Sequence, residues 1–218
     1  MSAPDDAPQR RFDAAMAHLP LVAILRGLQP DSAVDIGRAL YGAGFRVIEV
    51  PLNSPEPMRS IAALRSALPA DAVVGAGTVL NVDAVADVQA AGGELIVMPH
   101  ADTRVIAAAK SSGLSCVPGV ATPTEAFAAL DAGADALKLF PSELVTPAVL
   151  KAMKAVLPPQ VRLLPVGGIT PPGMRAYLDA GAAGFGLGSA LFTPALDAEA
   201  VRANALAFVA AWRERGSV

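Results

Sequence analysis

The chain has 218 residues, of which 53% are hydrophobic and 17% are charged, and its formal net charge is −3. This length and apolar content suffice for one large core, so we expect a single domain over residues 1–218. The slightly acidic charge, without any run of Lys and Arg, excludes an extended nucleic-acid surface, and the single cysteine, Cys116, excludes an intrachain disulfide.

The N-terminal segment predicts a loosely ordered start followed by a helix. We expect residues 1–10 to be loosely ordered and residues 9–19 to form an extra amphipathic helix ahead of the first strand. The segment lacks the apolar core of a signal peptide, and Gly, Pro or charged residues interrupt every later apolar stretch before membrane-spanning length. We therefore expect a cytoplasmic protein with no membrane partner.

A repeated local pattern organises the rest of the chain: an Ala-rich helical stretch ends at Gly and runs into a short apolar segment. Gly suits the left-handed position that ends a helix, and the apolar run suits a strand buried on both faces. Eight strands are predicted, at residues 21–26, 46–50, 72–77, 94–99, 114–119, 136–141, 162–167 and 183–188. Their even spacing favours a (β/α)8 TIM barrel with an extra N-terminal helix. A doubly wound open sheet is the alternative, but no GxGxxG motif follows the first strand.

Helix start signals fall between the predicted strands. Pro30 predicts the start of one helix, Thr124 and Glu125 predict the start of another, and Pro171 predicts a third. Residues 197–215 predict the closing helix. No linker or low-complexity segment divides the chain.

Three charged side chains stand near the carboxyl ends of predicted strands, which is where the active sites of this architecture lie. Arg26 ends the first strand, Glu49 interrupts the second, and Lys138 lies inside the sixth. An apolar strand rarely carries such charges without a reason, so these three are candidate site residues. Four further charges fall at strand beginnings and are interpreted as structural: Arg46, Glu94, Asp135 and Arg162.

Lys138 is the candidate nucleophile. Burial of an unpaired ammonium is costly, and the site can relieve that cost by lowering the pKa of the lysine. The resulting free amine is what is needed to attack a ketone and form a Schiff base. The alternative is that Lys138 and Glu49 form only a buried structural ion pair. Glu49 is otherwise a carboxyl that moves protons, and Arg26 either binds a substrate carboxylate or forms an ordinary salt bridge at the rim.

Two glycine-containing segments predict a phosphate site. Residues 165–173 (PVGGITPPG) end the seventh strand, and residues 186–192 (GLGSALF) end the eighth and lead into a predicted short helix. Backbone N–H groups in these two loops would form an anion-binding nest where barrels commonly bind phosphate. The alternative is that both segments are only turns that close the sheet.

The sequence predicts no metal site and no cofactor. The two histidines, His18 and His100, lie far apart, and the carboxylates at strand ends are too few for a magnesium cluster. Cys116 lies in a buried-strand pattern, which favours a small core residue over a nucleophile.

The chain resembles the family of 2-keto-3-deoxy-6-phosphogluconate and 6-phosphogalactonate aldolases from about residue 19 to residue 212. The segments that carry the resemblance are VAILRG, GFRVIEVPLNSP, GAGTVL, ALKLFPS, PVGGITP and GLGSALF, in this order. The resemblance implies an eight-stranded barrel, Schiff-base chemistry without a metal, a phosphorylated keto-deoxy sugar acid as substrate, and a homotrimer.

The resemblance also implies roles for individual residues. Lys138 is matched to the Schiff-base lysine and Glu49 to the proton shuttle, while Arg26 and Thr78 are matched to groups that bind the pyruvate part of the substrate. Pro99 falls where the family has a pocket-lining proline. The phosphate would be bound by Gly167, Gly168, Gly188 and Ser189.

Two departures from the phosphogluconate pattern point to the phosphogalactonate branch. Asn53 stands in place of an arginine, and Val166 stands in place of a threonine before the paired glycines. The alternatives are activity on the C4 epimer derived from gluconate, or on 4-hydroxy-2-oxoglutarate. A non-covalent isomerase or synthase on the same barrel would use Glu49 as a base, and a catalytically silent sugar-phosphate sensor would gain nothing from a buried lysine and glutamate.

Overall fold

The computed structural model describes residues 7–214. Its helices are α1 Ala7–His18, α2 Pro30–Ala43, α3 Pro57–Ala67, α4 Val82–Ala90, α5 Thr103–Ser111, α6 Pro123–Asp131, α7 Pro147–Lys154, α8 Met174–Asp179 and α9 Ala198–Arg213. Its strands are β1 Leu21–Ile24, β2 Val47–Pro51, β3 Val73–Gly77, β4 Leu95–Val97, β5 Ser115–Val117, β6 Gly119–Val120, β7 Leu137–Leu139, β8 Leu163–Pro165 and β9 Phe185–Leu187. None of the helices in this described range is long and apolar enough to cross a membrane.

All strand pairs are parallel, as the sequence predicts for strands that alternate with helices. One sheet has the order β5-β4-β3-β2-β1-β9, and the other has the order β6-β7-β8. Each of the eight predicted strand segments contains strand residues, and the fifth segment is split into β5 and β6. Pro118 lies at the split, where its missing N–H cannot continue the ladder. A single parallel bridge pairs Val166, just after β8, with Gly186 of β9. The parallel α/β architecture is thereby confirmed.

The glycine that follows each Ala-rich helix has the backbone conformation expected from the repeat. These glycines all have positive φ: Gly44, Gly92, Gly113, Gly133 and Gly181. Two predicted helix starts were wrong: α8 begins at Met174, three residues after Pro171, and α6 begins one residue before Thr124. The helix α6 begins at Pro123 rather than Thr124, because Thr122 accepts a hydrogen bond from the N–H of Glu125 and the Glu125 carboxylate accepts from the N–H of Thr122.

The first helix covers the amino ends of the strands. The side chains of Phe12, Ala15 and Met16 are buried in a cluster formed with inward-facing residues of the strands. The prediction of a loosely ordered segment over residues 1–10 is wrong for residues 7–10, because α1 starts at Ala7. Residues 1–6 lie outside the described range. The amphipathic helix predicted here is thus confirmed.

Ion pairs surround this end of the sheet and confirm the structural interpretation of the four charges at strand beginnings. The pairs are Arg46–Asp71, Arg11–Glu94, Lys110–Asp135 and Arg162–Asp13. Cys116 is completely buried beside them, and burial raises the pKa of its thiol to about 12. Its interpretation as a core residue agrees with this environment, because a thiol of such pKa has almost no thiolate at neutral pH.

Candidate active site

A cavity of about 310 Å³ opens at the carboxyl ends of the strands, opposite α1. Its lining contains seven of the ten residues predicted to form the site: Arg26, Lys138, Val166, Gly167, Gly168, Gly188 and Ser189. Several apolar side chains that the sequence did not single out complete the wall, among them Phe140 and Phe192. Apolar walls with a few convergent polar groups are typical of small-molecule sites.

Lys138 lies on β7, and its side chain reaches into the floor of this cavity. The residue is only 6% exposed, and Nζ lies 4.7 Å from the centroid of the Phe140 ring. Burial lowers the pKa of the Lys138 ammonium, the negative charge of Glu49 opposes this shift, and the positive charge of Arg26 adds to it. The amine is therefore easier to deprotonate than an exposed lysine, which makes it a better nucleophile near neutral pH.

Glu49 lies on β2 and is more deeply buried, with 2% exposure. Burial raises the pKa of its carboxyl, against the lowering effect of the positive charges on Lys138 and then Arg26. Its Oε2 has no hydrogen-bond partner, and a Cβ added at Gly77 would overlap this oxygen. The carboxyl is thus seated against a strand position that only glycine can occupy without displacing it.

The two groups share a small internal space but form no ion pair. A second cavity of about 10 Å³ lies below the first, and both Lys138 and Glu49 line it together with Val166. No hydrogen bond or ion pair between Lys138 and Glu49 occurs in the described residues. Burial favours the neutral form of each group, a free amine and a protonated carboxyl. This combination provides a nucleophile beside a proton donor, which a structural ion pair would not.

The two segments predicted to bind phosphate lie on one wall of the larger cavity. Gly167 and Gly168 both have positive φ, 116° and 56°, so the loop after β8 follows a path that few other residues tolerate. Within residues 7–214, the N–H groups of Gly168 and Ser189 donate to no backbone carbonyl. Such free N–H groups facing a cavity are suitable donors for a phosphate.

One feature of this wall differs from the sequence prediction. The short helix expected after Gly188 is a single turn, in which the N–H groups of Leu191 and Phe192 both donate to the Gly188 carbonyl. Pro194 follows within two residues, and the chain runs in turns and loop until α9. The segment therefore contributes a backbone nest without the dipole of a helix.

The remaining predicted residues lie at the same end of the sheet but outside the lining of the larger cavity. Thr78 follows β3 in a left-handed conformation, with φ of 56°, which is uncommon for a residue other than glycine. Pro99 follows β4, and its carbonyl lies against Gly119. Arg26, unlike these two, lines the larger cavity and is exposed at its rim, in the loop where the N–H of Gly27 donates to Ser54 Oγ at 2.9 Å.

Val166 stands between the reactive pair and the glycine loop. It is buried and lines both cavities. A Cβ added at Gly186 would lie 2.6 Å from Val166 Cγ2, so the valine fills the space that a larger residue at 186 would need. In the described residues no group of three or more His, Cys, Asp and Glu side chains could hold a metal ion.

Comparison with known proteins shows the family of the chain. Residues 12–210 match the aldolase family model described as "KDPG and KHG aldolase". The chain belongs to the KDPG and KHG aldolase family. It is an aldolase, and its relatives are carbon–carbon lyases.

Individual relatives of this aldolase are similar over most of its length. The 2-dehydro-3-deoxy-6-phosphogalactonate aldolase of Escherichia coli (strain K12) is 47% identical over 196 residues, which is 90% of this chain and 96% of the relative. A solved structure described as native KDPGal matches with a TM-score of 0.90 and 46% identity, covering 92% of this chain and 97% of that one. A cube-shaped protein cage designed by fusing symmetric oligomeric domains matches with a TM-score of 0.89 and 46% identity, covering 91% of this chain and 74% of that one.

The contact between Glu49 and Gly77 predicts that Gly77→Ala is nearly inactive. The added methyl group would displace the carboxyl by about an ångström, and a misplacement of this size can cost about 10²-fold in kcat. The measurement is the kcat of aldol cleavage, with thermal unfolding as a check that the variant folds. Gly42→Ala is the matched control, because a Cβ at Gly42 meets nothing within 4 Å. A Gly77→Ala enzyme with the kcat of the control would contradict the placement of Glu49.

The charge of Arg26 predicts a change in pH dependence. Imine formation requires the free amine of Lys138, whose pKa burial and Arg26 hold below the ordinary 10.5. Removing the positive charge in Arg26→Ala raises that pKa, so the acid limb of the rate profile should move to higher pH. The limiting rate of pyruvate trapping by borohydride at saturating pyruvate measures this limb, and Arg26→Lys is the charge-retaining control. An unmoved or lowered limb in Arg26→Ala would show that this charge does not act on Lys138.

Proposed function

We propose that this aldolase cleaves 2-dehydro-3-deoxy-6-phospho-D-galactonate to pyruvate and D-glyceraldehyde 3-phosphate through a Schiff base on Lys138. The observation that carries the proposal is a buried, unpaired lysine amine at the floor of a cavity that has a glycine loop on its wall. The two features fit the two ends of such a substrate, a ketone to be attacked and a phosphate to be bound. The relatives named above support the choice of substrate.

The reaction begins with attack of the Lys138 amine on the C2 ketone of the substrate. The nitrogen forms a bond to C2, and Glu49 gives a proton to the oxygen, which leaves a neutral carbinolamine once the nitrogen has lost a proton. Protonation of the hydroxyl then expels water and gives the iminium ion. Glu49 is the group placed to move these protons, since it lines the small cavity beside Lys138.

Carbon–carbon cleavage follows from the iminium ion, which draws electrons from the C3–C4 bond. Glu49, now ionised, takes the proton of the C4 hydroxyl, the bond breaks, and D-glyceraldehyde 3-phosphate leaves as the aldehyde. The enamine that remains on Lys138 takes a proton at C3, and addition of water to the resulting imine releases pyruvate and restores the amine. One carboxyl therefore serves every proton transfer in the cycle.

Substrate binding is assigned from the positions of the lining residues. Arg26 binds the carboxylate of the substrate from the rim, and Thr78 and Pro99 shape the pyruvate end at the carboxyl ends of β3 and β4. The phosphate is bound by backbone N–H groups of the two loops, at Gly167, Gly168, Gly188 and Ser189. No cofactor takes part in these steps.

The preference for the galactonate-derived epimer rests on Val166. Val166 lies between Lys138 and the glycine loop, which is where C4 of a bound substrate would lie, and it presents methyl groups instead of a hydroxyl. Cleavage of the gluconate-derived epimer or of 4-hydroxy-2-oxoglutarate is the second candidate activity. A non-covalent isomerase or synthase has no use for the lysine at the centre of the site.

Three further features complete the proposal. The two sheets form one closed (β/α)8 barrel, supported by the Val166–Gly186 bridge on one side and by the single residue between β5 and β6 on the other. The protein is a single-domain homotrimer, supported by the similarity to a domain used as a symmetric oligomer in the designed cage and by exposed apolar side chains such as Leu80 and Leu144. Its compartment is the cytoplasm.

The Schiff base predicts covalent trapping. Incubation with pyruvate and borohydride should add one reduced pyruvyl group per chain, located on Lys138 by peptide mass spectrometry, because reduction of the imine gives a stable amine. Lys138→Ala should take up no label, whereas the control Lys151→Ala, a change on the exposed surface of α7, should be labelled fully. An adduct that persists in Lys138→Ala would rule out this lysine as the covalent residue.

The placement of Val166 predicts a shift in substrate preference. In Val166→Thr, a hydroxyl becomes available to one C4 epimer, so the kcat/KM ratio should move toward the gluconate-derived substrate by about three- to tenfold, the equivalent of one net hydrogen bond. Pyruvate release from each purified epimer, followed with a coupled dehydrogenase, measures the ratio. Val166→Ala controls for the change in packing. An unchanged ratio in the Thr variant, or a wild-type preference for the gluconate epimer, would remove the basis for the substrate assignment.

A further inference from the structure

We propose that Ser142 and Tyr177 are positioning residues that orient the Gly167–Gly168 peptide toward the cavity and so set the strength of phosphate binding; this inference rests on the proposed function. Neither side chain lines the cavity. Both act from behind the loop, through hydrogen bonds to main-chain carbonyls.

Ser142 attaches the segment after β7 to the segment after β8 by two hydrogen bonds. Its hydroxyl donates to the carbonyl of Gly167, and its backbone N–H donates to the carbonyl of Val166 at 3.0 Å. The residue is buried, so water does not compete freely for either bond. Two successive carbonyls of the loop are therefore held by one serine.

The bond to the Gly167 carbonyl determines where the next N–H points. In a trans peptide the carbonyl and the following N–H point in opposite directions. With its oxygen turned toward Ser142, the Gly167–Gly168 peptide turns the N–H of Gly168 away from Ser142, toward the cavity that Gly168 lines. Glycine peptides reorient at little steric cost, so a loop with φ of 116° and 56° needs such a contact to keep one orientation.

Tyr177 of α8 holds Ser142 in turn. Its hydroxyl lies 2.9 Å from the carbonyl of Ser142 and 3.3 Å from that of Val145. Its ring packs edge-to-face on Phe185 of β9, with centroids 6.4 Å apart. A chain of contacts thus runs from the packed core through Tyr177 and Ser142 to the Gly167 carbonyl.

The arrangement predicts that loss of the Ser142 hydroxyl weakens phosphate binding but leaves the reaction of Lys138 with pyruvate unchanged. Ser142→Ala should raise the Kd for inorganic phosphate and the KM for the phosphorylated substrate by about three- to tenfold, the loss of one hydrogen bond. Pyruvate trapping by borohydride needs no phosphate site, so its rate should stay within about twofold of wild type. A general loss of stability would instead affect both measurements.

The controls use serines and tyrosines of the same chain. Ser60→Ala is the matched variant, since Ser60 is equally buried in α3 and its hydroxyl has no partner; its phosphate affinity should equal that of wild type. Ser142→Thr keeps the hydroxyl and should recover most of the affinity. Tyr177→Phe keeps the ring contact with Phe185 and should weaken phosphate binding by about two- to fivefold, which provides a second test if Ser142→Ala does not fold.

Isothermal titration with inorganic phosphate, alongside steady-state kinetics, distinguishes the possible failures. If the wild type binds phosphate and both Ser142→Ala and Tyr177→Phe bind it equally well, the positioning role is wrong while the proposed function stands. A wild type that neither binds phosphate nor prefers a phosphorylated substrate would overturn the phosphate site itself. Equal losses in pyruvate trapping and phosphate binding would show that Ser142 and Tyr177 stabilise the fold in general and do not orient the Gly167–Gly168 peptide in particular.

Discussion

The site depends on the burial of two ionisable groups that do not neutralise each other. Lys138 and Glu49 sit on different strands, both nearly inaccessible, with no ion pair between them. Placing a charge in such surroundings costs several kcal/mol, so each group is shifted toward its neutral form. The surrounding apolar strands therefore do more than build a core, because burial among them lowers the pKa of the Lys138 ammonium and raises the pKa of the Glu49 carboxyl.

The floor and the wall of the cavity present different kinds of polar group, side chains at the floor and main-chain N–H groups on the wall. At the floor, side chains supply the reactive groups, and a glycine, Gly77, supplies the space for one of them. On the wall, the main chain supplies the donors, and glycines supply the conformations that aim them. A carboxylate also flanks this wall, since a Cβ at Gly167 would lie 2.8 Å from Glu143 Oε2. Among the described residues, the N–H groups of Gly168 and Ser189 on this wall donate to no backbone carbonyl.

The sequence predicts the strands and singles out Lys138 and Glu49 because each of these features differs from its immediate neighbours in the sequence. A lysine or glutamate inside an apolar run is visible without a structure, and so is a glycine that ends a helix. What the sequence could not predict depends on contacts between distant segments. Ser142 and Tyr177 are 35 residues apart, and nothing near either residue indicates that they meet.

The errors also have physical causes. The sequence predicts a short helix after Gly188, but Pro194 prevents its extension beyond a single turn. The start of α6 was placed at Thr124 although Thr122 fits a capping box with Glu125 equally well in sequence and forms it in the structure. The split between β5 and β6 depends on a proline whose effect varies with its neighbours.

The position of α1 has a consequence for the order in which the molecule folds. This helix is the first element of the described chain, yet the surface it covers is made by β2, β3 and β5, and Asp13 pairs with Arg162 at the start of β8. The Asp13–Arg162 pair alone joins residues that are 149 positions apart in the sequence. During synthesis α1 is made before the strands that it covers, so its apolar face stays uncovered until the last of these strands has been made. Because the surface that α1 covers exists only when these strands have paired, the docking of α1 is a late event in folding.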